Sequence, residues 1–432
     1  MNRDRFRTAL TLAWGLLLLV CGPGLALATE DCLDCHRQTT PAAVRQWQNS
    51  AHADKVGCAD CHGRDHAAIL AGEVRVNASI CGRCHAQALA EHQRSRHGKG
   101  LQSGWGCTRN LPQRPAAECR GCHEEGSTLP TTPVACARFL QQSAEMGNLG
   151  CNRCHEVETA CGSCHSNHTT DLAIVRNPNV CAKCHMGPDH PQWEMWSTSQ
   201  HGSLYQSGGA ELAPSCQSCH LPQGGHDVSQ GLTMTPGVDP LPVAQQTSGR
   251  QQMLQVCSGC HSEAFSRREL EQADAVRAQS LALVKQAEAL IWDLADRGWL
   301  DPAPSERPPH PLKGAVLVTD QQMLYENTSR IEGLLFRLKK YALAQTVKGA
   351  YHQNPAYTHW YGNAELKLLL QDIDAEARRL RERRGGAGEG SKPDAGESLV
   401  QALERLKNQH QRGALSDSDY AREKSRLLET LP

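Results

Sequence analysis

The sequence predicts a mainly α-helical fold with little sheet, in which a first region packs around bound groups and long helices follow towards the C-terminus. Three observations predict it. The pentapeptide Cys-x-x-Cys-His recurs nine times between Cys32 and His261. Only 39% of the 432 residues are hydrophobic and 4% aromatic, thin for a chain that must build a core from its own side chains. Beyond Phe265, apolar residues return at helical spacing over three or more heptads.

The pentapeptide is the attachment signature of c-type haem. Its nine copies carry Cys32, Cys35 and His36; Cys58, Cys61 and His62; Cys81, Cys84 and His85; Cys119, Cys122 and His123; Cys151, Cys154 and His155; Cys161, Cys164 and His165; Cys181, Cys184 and His185; Cys216, Cys219 and His220; and Cys257, Cys260 and His261. The two thiols add to the haem vinyl groups, and the adjacent histidine is held beneath the iron as an axial ligand. The motifs use 18 of the 21 cysteines and leave Cys21, Cys107 and Cys136. A zinc site also uses paired cysteines, but it does not require a histidine after every pair. A disulfide scaffold requires neither the spacing nor the histidine. The chain is therefore read as a multihaem cytochrome c with nine haem c groups, whose porphyrins form the core that the polypeptide wraps. A formal charge of -1 leaves no basic stripe for phosphate, so no nucleic-acid partner is expected.

Taken in order, the chain begins with Arg3, Arg5 and Arg7, an apolar run from Leu10 to Val20, and the small-residue site Ala26-Leu27-Ala28. Residues 1–28 are expected to be a secretory signal peptide cut after Ala28, which places the chain in the periplasm, where haem is attached. Cys21 admits a lipoprotein reading, disfavoured by the bulk of Val20 before it, and an uncleaved anchor is the other alternative. No later stretch reaches the roughly 18 apolar residues of a membrane span.

Residues 29–262 form the expected multihaem domain. A low-potential electron-transfer haem usually takes a second histidine on its distal face. His52, His66, His97, His168, His201 and His226 are spread through this region as distal ligands should be, and His352 further on is a seventh candidate. A lone histidine is more often a surface residue, but many irons seeking a sixth ligand reverse that reading. Cys107 and Cys136 flank the Cys119 motif and either pair in an oxidising compartment or remain two free thiols.

Residues 263–384 change character. Leu270, Ala273, Val276, Leu281, Val284, Ala287, Ile291 and Leu294 fit a long helix, and helical pattern returns from about Gln321 to Lys348 and from Ala364 to Arg383. Five prolines within 301–313 mark a loop. Between the last two helices, Tyr351 to Gly362 holds three tyrosines and two histidines. Residues 385–397 read as a Gly-rich flexible linker. Residues 398–432 read as a short helical hairpin, with Ser416 and Asp419 as a plausible N-cap. This tail resembles the short C-terminal domain appended to many bacterial proteins, which implies oligomerisation or interaction.

The haem region and long helices together resemble the octahaem hydroxylamine oxidoreductase family. The resemblance rests on the close pair of motifs at Cys151 and Cys161 with His168 after them. It rests also on Cys181-Ala182-Lys183-Cys184-His185-Met186-Gly187-Pro188-Asp189-His190 followed by Ser199-Gln200-His201-Gly202. Cys257 to Glu263 running into a long helix and the Asn354-Pro355, Tyr357-Thr358 and Gly362 segment complete it. It spans roughly 32–384. The resemblance implies a catalytic haem without a distal ligand at Cys151, Cys154 and His155. It implies that Tyr357 crosslinks to that porphyrin in a neighbouring subunit, within a homotrimer, with Tyr351 and Tyr361 as rival tyrosines. It assigns substrate protons to Asp189 and His190, a carboxylate–imidazole pair suited to accept them near neutral pH. The implied function is oxidation of hydroxylamine or hydrazine, a small nitrogenous substrate, with electrons leaving through bis-His haems to a periplasmic or membrane-bound redox protein. Reduction of nitrite or hydroxylamine, and a non-catalytic electron conduit, are the alternatives. The family has eight motifs, so the ninth, at Cys119, is a departure that bears on substrate and direction.

Overall fold

The computed structural model describes residues 24–99, 154, 156–188, 190–301, 329–385, 399–411 and 415–428. Outside them lie the residues before Gly24, the Cys119 motif with Cys107 and Cys136, and also Cys151, His155, Asp189, the proline-rich loop from Pro302 and the linker after Gly385. The described chain is mainly α-helical, and its one β feature is an isolated bridge between Met234 and Pro240. None of its helices is long and apolar enough to cross a membrane. The chain divides into two compact units.

The first unit comprises Met1–Leu101, Gly150–Lys183 and Ser215–Ser229. After a helix at Gly24–Thr39, which runs through the expected cleavage point at Ala28, its helices have four to nine residues, such as Cys58–His62, Ala86–Arg94, Gly162–His165 and Cys216–His220. Local chemistry starts and stops them. Asp65 accepts from the Ala68 amide at 3.0 Å and Asn77 from that of Ser79 at 3.0 Å, each capping a short helix. Gly63 ends Cys58–His62 in the left-handed region (φ 74°), where a side chain would be strained. Helices of one or two turns are unstable alone in water.

The second unit comprises Gln102–Leu149, Cys184–Pro214 and Gln230–Pro432. Its frame is a bundle of α1 (Val243–Cys257), α2 (Glu263–Asp296), α3 (Arg330–Arg337), α4 (Leu343–Tyr351) and α5 (Ala364–Gly385). A π turn, Leu338–Ala342, joins α3 to α4, and Pro355–Tyr357 with a second π turn, Thr358–Asn363, leads into α5. The helix expected from Gln321 is described only from Ser329, whose side chain forms a capping box with Glu332 before Arg330. Lys339 pairs with Glu288 at 2.6 Å and Tyr351 hydrogen-bonds Asp274, so α3 and α4 run antiparallel to α2. Arg381 meets Asp293 at 3.2 Å, so α5 runs parallel to α2.

On α2 the buried positions are 266, 270, 273, 277, 280, 284, 287, 291 and 294, a strict alternation of four and three as in a coiled-coil seam. The apolar pattern had placed Val276 and Leu281 on this face, but Arg277 and Ser280 occupy it and those two are half-buried. Arg277 tolerates burial because Asp274 (3.3 Å) and the Thr233 carbonyl (3.3 Å) accept its N–H groups and the Tyr351 ring lies beneath it. At the C-terminal end, helices Leu399–Gln411 and Asp417–Leu428 pair, with Ser416 capping the second through the Asp419 amide at 3.1 Å.

Candidate functional site

The haem motifs at Cys81, Cys161 and Cys257 each close one turn of helix. The amides of His85, His165 and His261 donate to the carbonyls of Cys81, Cys161 and Cys257 at 2.9, 3.0 and 2.9 Å. One turn puts positions i, i+3 and i+4 on a single face, so both thiols and the following imidazole project together. Five contiguous residues thereby build an attachment edge and a proximal ligand.

The structure then brings six of these motif histidines against another imidazole. Ring centres are 6.2 Å apart for His36 and His66, 6.1 Å for His85 and His52, and 6.2 Å for His62 and His168. The same holds for His165 and His226 at 6.0 Å, His261 and His201 at 6.1 Å, and His185 and His190 at 6.4 Å. Two metal–imidazole bonds of about 2.0–2.1 Å, with about 1.1 Å from each nitrogen to its ring centre, span about 6.2–6.4 Å. Direct stacking would bring rings closer, as Tyr357 and Tyr361 do at 4.7 Å. The gaps therefore fit an iron between two imidazoles. Hydroxyl oxygens lie at the Nδ1 atoms of His36 (Thr40, 2.8 Å) and His52 (Thr170, 3.3 Å), which engages Nδ1 and leaves Nε2 for a metal. Among the described residues no three His, Cys, Asp or Glu side chains converge as a bare zinc site requires. His97 lies on the turn His97–Lys99, and His220 ends the helix Cys216–His220.

In the first unit, thiols of different motifs also meet. Cys58 hydrogen-bonds Cys32, Cys161 bonds Cys81, and Cys181 bonds Cys216. Burial, with Cys81 beside it, pushes the Cys161 thiol up to about 11, and the bond to Cys216 raises that of Cys181. Thiol edges from neighbouring motifs thus face one another in pairs.

The second unit holds the other sequence-predicted residues. His185 is half-buried with its Nδ1 atom enclosed, and this desolvation, followed by the nearness of His190, lowers it to about 4, with Lys348 and His352 adding to the effect. His352 places Nδ1 2.7 Å from the Lys348 carbonyl, which engages Nδ1 and makes Nε2 the nitrogen suited to a metal. His190 faces His185, while His352 is near enough to act on its charge, and the first of these is the histidine assigned to proton transfer. Tyr357 is 9% exposed and stacks on Tyr361, while Tyr361 and Trp360 are 62% and 70% exposed. Burial, then the charge of Glu194, pushes Tyr357 up to about 12. Asn354 pins this segment. Its side chain donates to the Met195 carbonyl and the Thr198 hydroxyl at 2.8 Å each and accepts from the Tyr357 amide at 2.9 Å.

Sequence reasoning missed Gln192 and Glu194. Gln192 lies beside His185 and favours its protonated form, against the effect of burial. Glu194 accepts from the Gly187 amide at 3.0 Å, while its second oxygen is buried without a hydrogen-bond partner. The available signal was their place just after His190-Pro191, where a helix first turn favours acidic residues.

Comparison with known proteins agrees with this geometry. A family described as seven times multi-haem cytochrome CxxCH matches residues 54–308, and one described as cytochrome c554 and c-prime matches 24–63. A probable nitrite reductase-hydroxylamine oxidoreductase fusion protein of Kuenenia stuttgartiensis is 25% identical over 472 residues, covering 84% of this chain. The chain spans about half of that relative, 53% of its length. Among solved structures, a reducing HAO-like protein complex of Kuenenia stuttgartiensis aligns with a TM-score of 0.67 at 22% identity, covering 84% of this chain and 87% of the other. A hypothetical multihaem protein aligns at 0.58 with 15% identity, covering 84% and 99%. At these identities the likeness is one of fold.

Proposed function

From the premise that the chain belongs to the seven times multi-haem cytochrome CxxCH family, we propose that it is a periplasmic oxidoreductase of small nitrogen compounds. Nine haem c groups are assigned to the nine motifs, the Cys119 motif included. Five of the six facing imidazole pairs, all but His185 and His190, would hold iron from both sides, and His97 is a further distal candidate. The observation that carries the reading is the repeated gap of 6.0–6.4 Å between paired imidazoles, sized for iron.

The reacting centre is assigned to Cys151, Cys154 and His155. A haem there with an open position supplies an iron that binds nitrogen and exchanges electrons with it. His190, with Asp189 before it, is assigned to the substrate protons, and His352 to the sixth position opposite His185. The orientation of His352 by the Lys348 carbonyl supports that division. The spacing of 6.4 Å between His185 and His190 favours the converse, in which His190 is the axial ligand. Spin state separates them. His352→Ala converting one low-spin haem to high-spin supports the first division, and His190→Ala doing so supports the second.

Hydroxylamine or hydrazine oxidation is the proposed direction, with Tyr357 crosslinked across a trimer and electrons passed to a periplasmic or membrane-bound redox protein. The interior position of Tyr357 supports instead the reductive reading, because a ring 9% exposed must swing out to reach another subunit. Denaturing gels of the exported holoprotein test the direction. Crosslinked oligomers lost in Tyr357→Phe support oxidation, whereas a wholly monomeric wild type with all haems attached supports reduction of nitrite or hydroxylamine, or a non-catalytic electron conduit. Intact mass fixes the haem number, and eight additions instead of nine remove the Cys119 motif. Cleavage after Ala28 and the division at 29–262, 263–384 and 398–432 belong to the same proposal.

A further inference from the structure

The helix Ala86–Arg94 connects both ligand-bearing segments of one haem site in the first unit. His92 Nε2 lies 3.1 Å from the Glu158 carbonyl, in the turn that leads to the Cys161 motif. On the other side, Glu91 Oε2 accepts from the His226 backbone amide at 2.8 Å, and the Arg96 amide donates to the Ser229 hydroxyl at 2.8 Å. The loop carrying His226 is thus tied to this helix and its end. Gly224, in the left-handed region (φ 79°), turns that loop back.

Glu91 does more than hold a backbone. Its Oε2 lies 4.0 Å from Nδ1 of His226, beyond hydrogen-bond length but within ion-pair range. The carboxylate is 19% exposed, and Gln87 Nε2 donates to its other oxygen at 3.0 Å, so its position is set from two sides. His226 in turn faces His165 at 6.0 Å with the rings nearly parallel, 17° apart. The contrast lies within the same unit. The Nδ1 atoms of His36 and His52 meet neutral threonine hydroxyls. Among the described residues of the first unit, His226 is the one paired imidazole with a carboxylate in ion-pair range.

We propose that Glu91 is a positioning residue that, through His226, lowers the reduction potential of the haem attached at Cys161 and Cys164. The inference rests on the reading of His165 and His226 as that haem's axial pair. A fixed negative charge behind an axial imidazole raises the ligand's basicity and favours ferric over ferrous iron. That motif begins ten residues after Cys151, so Glu91 sets how readily the haem next in the chain takes an electron from the proposed reacting centre or returns one to it.

The test is a spectroelectrochemical titration of the intact holoprotein. Glu91→Gln keeps the shape and the acceptor for the His226 amide while removing the charge. One haem midpoint is expected to rise, the others to stay, and all low-spin signals to persist. Glu91→Asp, which keeps the charge but withdraws it by one methylene, is expected to move the same midpoint less. Unchanged midpoints in both variants overturn the proposal, as does a low-spin haem turning high-spin in Glu91→Gln, which would make Glu91 a mere support of ligation. His226→Ala examines the underlying reading separately. If it leaves every haem low-spin, the axial assignment fails. If it turns one haem high-spin while Glu91→Gln moves no midpoint, the Glu91 proposal alone fails.

Discussion

In the first unit the buried apolar side chains among the described residues are Leu33, Val44 and Ala78, whereas the bundle of the second closes on one cluster of 17, from Val238 to Leu380. The first unit instead holds four facing imidazole pairs, carried by the helix Gly24–Thr39, by helices of four to nine residues and by the loops between them. One region leaves its packing to a bound group, and the other supplies its own. Short helices without an apolar face gain little from burial, so the covalent anchors and axial bonds must offset their chain entropy. The long helices of the bundle are stabilised by side chains alone, at roughly 25 cal/mol per Å² of apolar surface removed from water.

The largest effect should follow from breaking one anchor. Cys161→Ala together with Cys164→Ala removes both thioether links at the His165–His226 gap. Limited proteolysis is expected to cut residues 30–99 and 156–183 rapidly while a fragment containing α2 to α5 resists. A first unit that stays resistant would show that it packs without that haem.

Next in size is a cavity in the bundle. Ile291 is fully buried in the cluster, and Ile291→Ala should cost about 2–5 kcal/mol. Thermal unfolding followed by circular dichroism should shift down while the haem count by mass is unchanged. A coupled loss of haem would erase the proposed independence of the two kinds of core.

A smaller change links the bundle to the tyrosine segment. A Cβ at Gly362 would collide with the backbone nitrogen of Thr346, and neither backbone can yield cheaply. Gly362→Ala should cost about 1–3 kcal/mol and displace the π turn, so that tyrosine fluorescence changes more than the haem spectra do.

The smallest effect is electrostatic. Hydrogen bonds from Arg379, one of 2.9 Å, hold the carboxyl of buried Glu376 below its ordinary value of 4.5. Because the folded-state value is the lower one, this stabilisation is present above the ordinary range and is lost as pH falls through the depressed value. Arg379 is 47% exposed, so solvent screens the pair. Glu376→Gln should flatten the acid limb of the melting curve slightly. An unchanged limb would assign acid sensitivity elsewhere.

Haem attachment was legible in the sequence because its chemistry is local: two thiols and an imidazole on one helical turn need only five neighbouring residues. The mainly helical class followed from the same motifs and from the periodicity of α2 and α5. The partner of each motif histidine was not legible. His62 finds His168 and His165 finds His226 across long stretches of chain, and the composition of those stretches says nothing of which imidazole arrives. Five of the distal candidates, His52, His66, His168, His201 and His226, could be gathered from their abundance, yet only the fold pairs them. The same limit hid Arg277, whose burial depends on Asp274, Thr233 and Tyr351 meeting it, and Glu91, whose meaning depends on a loop more than a hundred residues away. Covalent chemistry and periodicity act between neighbours and are written in order along the chain. Charge, ligand pairing and seam packing act through space, and the tertiary structure alone decides which residues share it.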